Sequence, residues 1–136
     1  MTTVIYHNPD CGTSRNVLAV IRATGTEPVV IPYLSAGWTK TQLQGLFAAA
    51  DLTPQAALRT SKSPAEELGL LAPNVSDDAI LDAMVAHPIL VNRPIVCTPK
   101  GVALCRPSEA VLPLLEIPLT APVYKEDGAL ILAPCQ

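Results

Sequence analysis

Cys11 is the residue best placed for chemistry. It lies in the run Tyr6-His7-Asn8-Pro9-Asp10-Cys11-Gly12-Thr13-Ser14-Arg15-Asn16, after the apolar segment Val4-Ile5-Tyr6 and just before a helical pattern. Asn8, Pro9, Asp10 and Gly12 are turn formers. The periodic set Val17, Leu18, Val20 and Ile21 predicts a helix whose N-cap is Thr13 or Ser14. A thiol in that turn faces the unpaired N–H groups and the positive dipole end of the helix, which lower a cysteine pKa and also hold an oxyanion. The dipole is not enough alone. Moving a thiol from about 8.5 to about 6 takes roughly 3.4 kcal/mol at about 1.36 kcal/mol per unit. A helix end supplies about 0.3–1 kcal/mol. Further charge is needed, and His7 and Arg15 are the local candidates. Ser14 stands where a dithiol motif would have its second cysteine, so a redox-active Cys11 needs a partner from elsewhere.

The elements that must position this turn are short. Thr3 to Tyr6 predicts a strand, Ser14 to Thr24 a helix ended by Gly25, and Glu27 to Tyr33 a second strand, parallel to the first by βαβ logic. From Ser35 to His87 the pattern is helical. Thr39 caps a segment through Asp51, Thr53-Pro54 opens a second helix through about Thr60, Ser63-Pro64 a third ending at Gly69, and Ser76 a fourth stopped by His87-Pro88. Pro94 to Thr98 and Val102 to Cys105 flank the turn Thr98-Pro99-Lys100-Gly101 and predict a hairpin. Ser108 caps a helix through Leu115. Prolines 118, 122 and 134 keep the tail of about 117–136 irregular, with Ala129 to Leu132 as a possible short strand. The order β-α-β, helices, β-β-α is an α/β, thioredoxin-like arrangement: one domain over 1–136, with a helical insertion at about 35–88 between its halves.

Composition narrows the function classes. The chain of 136 residues is long enough for one core without metal or disulfides. Mean hydropathy of +0.34 with 15% charged residues argues that the 14 prolines are punctuation rather than a sign of disorder. A net charge of -3 gives no support to binding nucleic acid or an anionic membrane. Met1-Thr2-Thr3 lacks the basic opening of a signal peptide, no run is long enough for a membrane span, and the expected compartment is the cytoplasm with reduced cysteines. Cysteines 11, 97, 105 and 135 show no metal-ligand spacing, so no metal is expected. Cys97 and Cys105 are expected in or near a strand core, and Cys135 as a tail thiol.

The hairpin turn fixes a register. With Pro99 and Lys100 at its centre, Thr98 faces Gly101, Cys97 faces Val102, and Arg93 faces Arg106. Like charges directly opposed on a ladder are destabilising. Paired guanidiniums make sense if they clamp a tetrahedral oxyanion with fork geometry. The same register keeps Cys97 and Cys105 from pairing.

Four separated blocks carry a resemblance. They are Tyr6 to Pro9 with Cys11 to Asn16; Ala57-Leu58-Arg59; His87 to Val96, which includes Arg93-Pro94; and Leu104-Cys105-Arg106-Pro107-Ser108-Glu109. In this order they resemble the glutaredoxin-coupled arsenate reductases. The resemblance implies that Cys11 is the nucleophile, that Arg59, Arg93 and Arg106 hold the oxyanion, and that His7 tunes the thiolate. It also implies that Ser14 donates a hydrogen bond beside the sulfur and that Pro94 is the cis-proline of the fold. Arsenate would be the substrate, glutathione the co-substrate and glutaredoxin the protein partner, with no bound cofactor. Cys97, where the family is expected to carry valine, and the apolar end Ala129 to Gln136 depart from the pattern. Two other functions fit the same fold: a thiol-based transcriptional regulator of the Spx type, which usually carries a cysteine pair at positions 11 and 14, and a glutathione-dependent monothiol reductase of another substrate.

Overall fold

The computed structural model describes residues 2–133; Cys135 lies outside them. The chain divides into two compact units, Met1–Pro32 with Arg93–Gln136, and Tyr33–Asn92.

The first unit is built on a four-stranded sheet. Its strands are β1 (Val4–His7), β2 (Val29–Pro32), β3 (Ile95–Thr98) and β4 (Gly101–Leu104), in the order β2-β1-β3-β4. β1 and β2 are parallel, as a crossover through the helix α1 (Gly12–Ala23) requires. β3 runs antiparallel to β1 and to β4. This is the α/β, thioredoxin-like arrangement that the element order predicts. The hairpin register is the expected one: Ile95 faces Leu104, Cys97 faces Val102 and Thr98 faces Gly101. Past the paired strands Cys105 N–H bonds to Pro94 O at 2.9 Å and Arg106 Nη1 donates to Arg93 O at 3.2 Å, which brings Arg93 and Arg106 together. Gly101, at φ 147°, closes the turn in a conformation that disfavours other residues.

Strand period and helix period set which side chains go inward. In β1, Ile5 and His7 are the buried residues, one face of a period of two. In α1, Ser14, Val17, Val20 and Ile21 are buried. Ile5, Val17, Val20 and Ile21 join Val96, Cys105 and Val111 in a continuous core. Burying an aliphatic side chain of this kind contributes roughly 1.5–3 kcal/mol. The core therefore anchors both flanks of the turn that carries Cys11.

The segment expected as a helix from Ser108 is a 3-10 helix, Ser108–Leu114, with Pro113 inside it. Proline removes one donor of the wider α pattern, which favours the tighter winding. The tail is also more ordered than expected. β5 (Val123–Tyr124) pairs antiparallel with β6 (Leu130–Leu132). Their turn is held by Lys125 N–H to Ala129 O at 2.7 Å and by Ala129 N–H to Asp127 Oδ1 at 2.9 Å, with Gly128 at φ 89°.

The second unit contains α2 (Tyr33–Ala36), α3 (Lys40–Ala49), α4 (Asp77–Ala86) and a 3-10 turn, Pro88–Leu90. Thr39 and Gln42 form a reciprocal capping box on α3, and Ser76 caps α4 through Ala79 N–H. The helices expected at 53–60 and 63–69 are turns instead. In the first, Arg59 N–H is committed to Leu90 O at 2.8 Å and Asn92 N–H to Ala57 O at 2.8 Å, which places Leu58 in an antiparallel bridge with Val91. Those cross-chain bonds take the groups that would have propagated the helix. In the second, Leu70 N–H returns to Ala65 O and Gly69 N–H to Glu66 O, a Schellman closure after one turn. Among the described residues no helix is long and apolar enough to cross a membrane.

Candidate active site

The turn before α1 closes earlier than the sequence suggests. Asn8 Oδ1 accepts Asp10 N–H at 2.9 Å, and Asn8 O accepts Cys11 N–H at 3.1 Å. Asn8 is thus the residue that shapes the turn, a role signalled by its Asn-Pro-Asp setting. Cys11 itself becomes the N-cap, with extended φ and ψ of -98° and 121°. The expected caps, Thr13 and Ser14, lie inside the helix. Cys11 O accepts Arg15 N–H at 3.0 Å, which starts the helical ladder.

That earlier start changes what Ser14 does. Its side chain is fully buried. Its hydroxyl oxygen is hydrogen-bonded to His7 Nδ1 at 2.6 Å and accepts Asn8 N–H at 3.0 Å. The hydroxyl therefore ties β1, the turn and α1 together, and the group that favours charge on the sulfur is the Ser14 backbone N–H. The sulfur itself makes no cap hydrogen bond. Ser14→Ala is expected to cost roughly 1–3 kcal/mol of stability, because the buried Asn8 N–H loses its acceptor. The pH profile of Cys11 alkylation should stay in place, because the backbone N–H remains. Urea unfolding and thiol alkylation of the same variant check both halves.

The charge missing from the local sequence comes from β3–β4. Arg106 Nη1 lies 3.6 Å from Cys11 Sγ and donates to Arg93 O at 3.2 Å. Burial alone would push the Cys11 thiol up. The Ser14 N–H, the Arg93 charge and the guanidinium N–H groups of Arg106 and Arg93 outweigh it, and the thiol falls below the ordinary cysteine value. The Arg93–Pro94 and Arg106–Pro107 peptide bonds are both cis. The other two thiols among the described residues differ in kind: burial pushes Cys97 up, and burial with the neighbouring Cys97 pushes Cys105 up to about 12. Among the described thiols Cys11 is the one shifted in the direction that favours a thiolate.

His7 and Arg15 do not supply the charge the local reading gave them. Burial, then the charges of Arg22 and Arg15, push the His7 imidazole down, so it is neutral at pH 7. Arg15 Nη1 donates to Pro9 O at 2.7 Å and braces the turn. His7 has a further consequence for stability. A histidine whose folded pKa is depressed gives stability that is complete above its unfolded value, about 6.5, and is lost as pH falls through the folded value. His7→Gln is expected to weaken that acid-side loss. Urea midpoints of both proteins at about pH 7.5 and about pH 5 measure the difference.

Cys11, His7, Ser14, Arg93 and Arg106 thus belong to the first unit. Arg59 belongs to the second, where it is buried. Its Nε donates to Ser61 O at 3.0 Å and its carbonyl accepts the Ser63 hydroxyl at 2.6 Å.

The sequence pattern of the ArsC family matches residues 6–114, which include all six of these positions. The chain belongs to the ArsC family. It is 70% identical over 129 residues to the arsenate reductase ArsI2 of Synechocystis, covering 95% of this chain and 92% of that one. It is 51% identical over 124 residues to the arsenate reductase of Escherichia coli K12, covering 91% and 88%. The solved arsenate reductase from Vibrio cholerae has the same fold, with a TM-score of 0.80 at 39% identity, covering 85% of this chain and 98% of that one. The ArsC match stops at Leu114, before β5 and β6.

Proposed function

We propose that the chain is an arsenate reductase of the cytoplasm that takes its electrons from glutathione and glutaredoxin and acts as one catalytic domain. The observation that carries this reading is the meeting of Arg93 and Arg106 with the Cys11 sulfur at a helix N-terminus. The relatives named arsenate reductase support the choice of oxyanion. Arg59 is taken as a third guanidinium for the anion, because Ala57-Leu58-Arg59 matches the family block.

The Cys11 thiolate attacks arsenic(V), a sulfur–arsenic bond forms, and one arsenate oxygen leaves as water. The guanidiniums neutralise the remaining oxygens as charge shifts onto them. The glutathione thiol then bonds to the arsenic and displaces a second oxygen as water. Glutaredoxin's thiolate attacks the glutathione sulfur. The resulting mixed disulfide is the oxidised product, and the electron pair of the broken sulfur–arsenic bond stays on arsenic, now arsenic(III). Hydrolysis of the remaining bond releases arsenite and restores Cys11. Serine at position 14 makes the external thiol necessary. The test is an assay of the purified chain with arsenate, glutathione and glutaredoxin. Arsenate-dependent oxidation of glutathione, requiring both thiols, is the expected result. Its absence from folded protein would overturn the reading in favour of the regulator.

A further inference from the structure

An open groove of about 550 Å³ runs along α1 on the first unit, within the range of small-molecule sites. One wall is the helix face Gly12, Arg15 and Ala19, at spacings of three and four residues. The other is the β5–β6 hairpin, through Lys125, Glu126 and Ile131. None of the hairpin wall falls within the ArsC family match. The groove begins at Gly12, the residue after the Cys11 N-cap.

We propose that this groove seats glutathione for its attack on the arsenic bonded to Cys11. The proposal rests on the glutathione-dependent reading above and adds where the tripeptide binds. Its charge pattern is the argument. Glutathione carries two carboxylates and one ammonium, with the thiol between its ends. The groove offers two cations, Arg15 and Lys125, on opposite walls, with the Glu126 carboxylate beside them. These two cations share the groove with two acids, Glu126 and Asp127, so both signs of charge line it. The neighbouring Asp127 carboxylate is already engaged with Ala129 N–H, which leaves Glu126 as the partner for the ammonium. Ala19 and Ile131 provide the apolar floor for the methylenes. Carboxylates held by Arg15 and Lys125 leave the central thiol free to reach past Gly12.

Lys125 and Glu126 are exposed residues of a turn, so they are replaced without disturbing the core. Lys125→Glu is expected to raise KM for glutathione about tenfold, the loss of one charge-assisted contact plus added repulsion. KM for arsenate, KM for glutaredoxin and kcat at saturating glutathione should stay within about twofold. Glu126→Gln should raise KM for glutathione less. In parallel, S-methylglutathione, which has no reactive thiol, is titrated into wild-type protein, and the methyl NMR signals of Ala19 and Ile131 are followed. They should shift in the wild type and much less in Lys125→Glu. Unmoved signals, or an unchanged glutathione KM in Lys125→Glu, would overturn the proposal while leaving the arsenate reaction intact. A rise in the glutaredoxin KM alone would overturn it too, and would assign the groove to the protein partner. If wild-type protein shows no turnover, the reductase reading has failed; the methyl titration still decides whether the groove binds the tripeptide.

Discussion

Cys11→Ser is expected to remove arsenate-dependent turnover, by at least about 10³-fold in kcat, with the fold retained. The hydroxyl that replaces the thiol stays protonated at neutral pH, so the helix N-terminus and the arginines have no anion to stabilise. Cys97 and Cys105 cannot substitute, because both thiols are pushed up rather than down. Steady-state kinetics with glutathione and glutaredoxin in excess, and circular dichroism of the variant, give the comparison. Residual turnover within tenfold of wild type would mean that another group carries the attack.

Arg106→Ala is expected to lower kcat/KM for arsenate by about 10²-fold, the usual scale for removing one oxyanion donor. It should also move the Cys11 alkylation profile to higher pH. The sign follows from the local balance: burial raises the thiol pKa, and the Arg106 N–H is one of the groups that overcome it. Without it the thiolate fraction at neutral pH falls. Arg106→Lys keeps the charge and loses the planar fork, so it should recover most of the thiolate but only part of the arsenate affinity. Alkylation rates across pH, beside arsenate kinetics, separate the two contributions. An alkylation profile unmoved in Arg106→Ala would show that the 3.6 Å contact with the sulfur is electrostatically idle.

The pair of arginines was legible because a four-residue turn sets the register of everything beyond it. Thr98-Pro99-Lys100-Gly101 suffices to bring Arg93 and Arg106 into opposition. The helix start was not legible in the same way. Thr13 and Ser14 are good caps by type, but the backbone bond from Cys11 to Asn8 O closes the turn before either is reached. The role of Ser14 followed that error, although the patterns that correct it are present: alternation puts His7 on the face of Ile5, and helical spacing puts Ser14 with Val17 and Ile21. The helix expected at 53–60 fails for a different reason: local propensity cannot see that Ala57 and Arg59 bond to Asn92 and Leu90, far along the chain. The one expected at 63–69 is closed after a single turn by the bonds from Gly69 and Leu70. The strand β5 is two residues long and carries no periodicity to read.

On the proposed reading, Arg93 and Arg106 also set how the protein would choose among anions. Their like charges are held near each other by the bond from Arg106 Nη1 to Arg93 O, which is unfavourable without a counter-charge. Any small tetrahedral anion would relieve that, and its occupancy would stabilise the fold by mass action. Phosphate and arsenate present the same shape and charge to a guanidinium fork. Capture therefore sorts poorly, and the choice falls to the next event, whether the central atom accepts sulfur. Selectivity in such a site is kinetic, set by the reactivity of the bound element rather than by the grip on it.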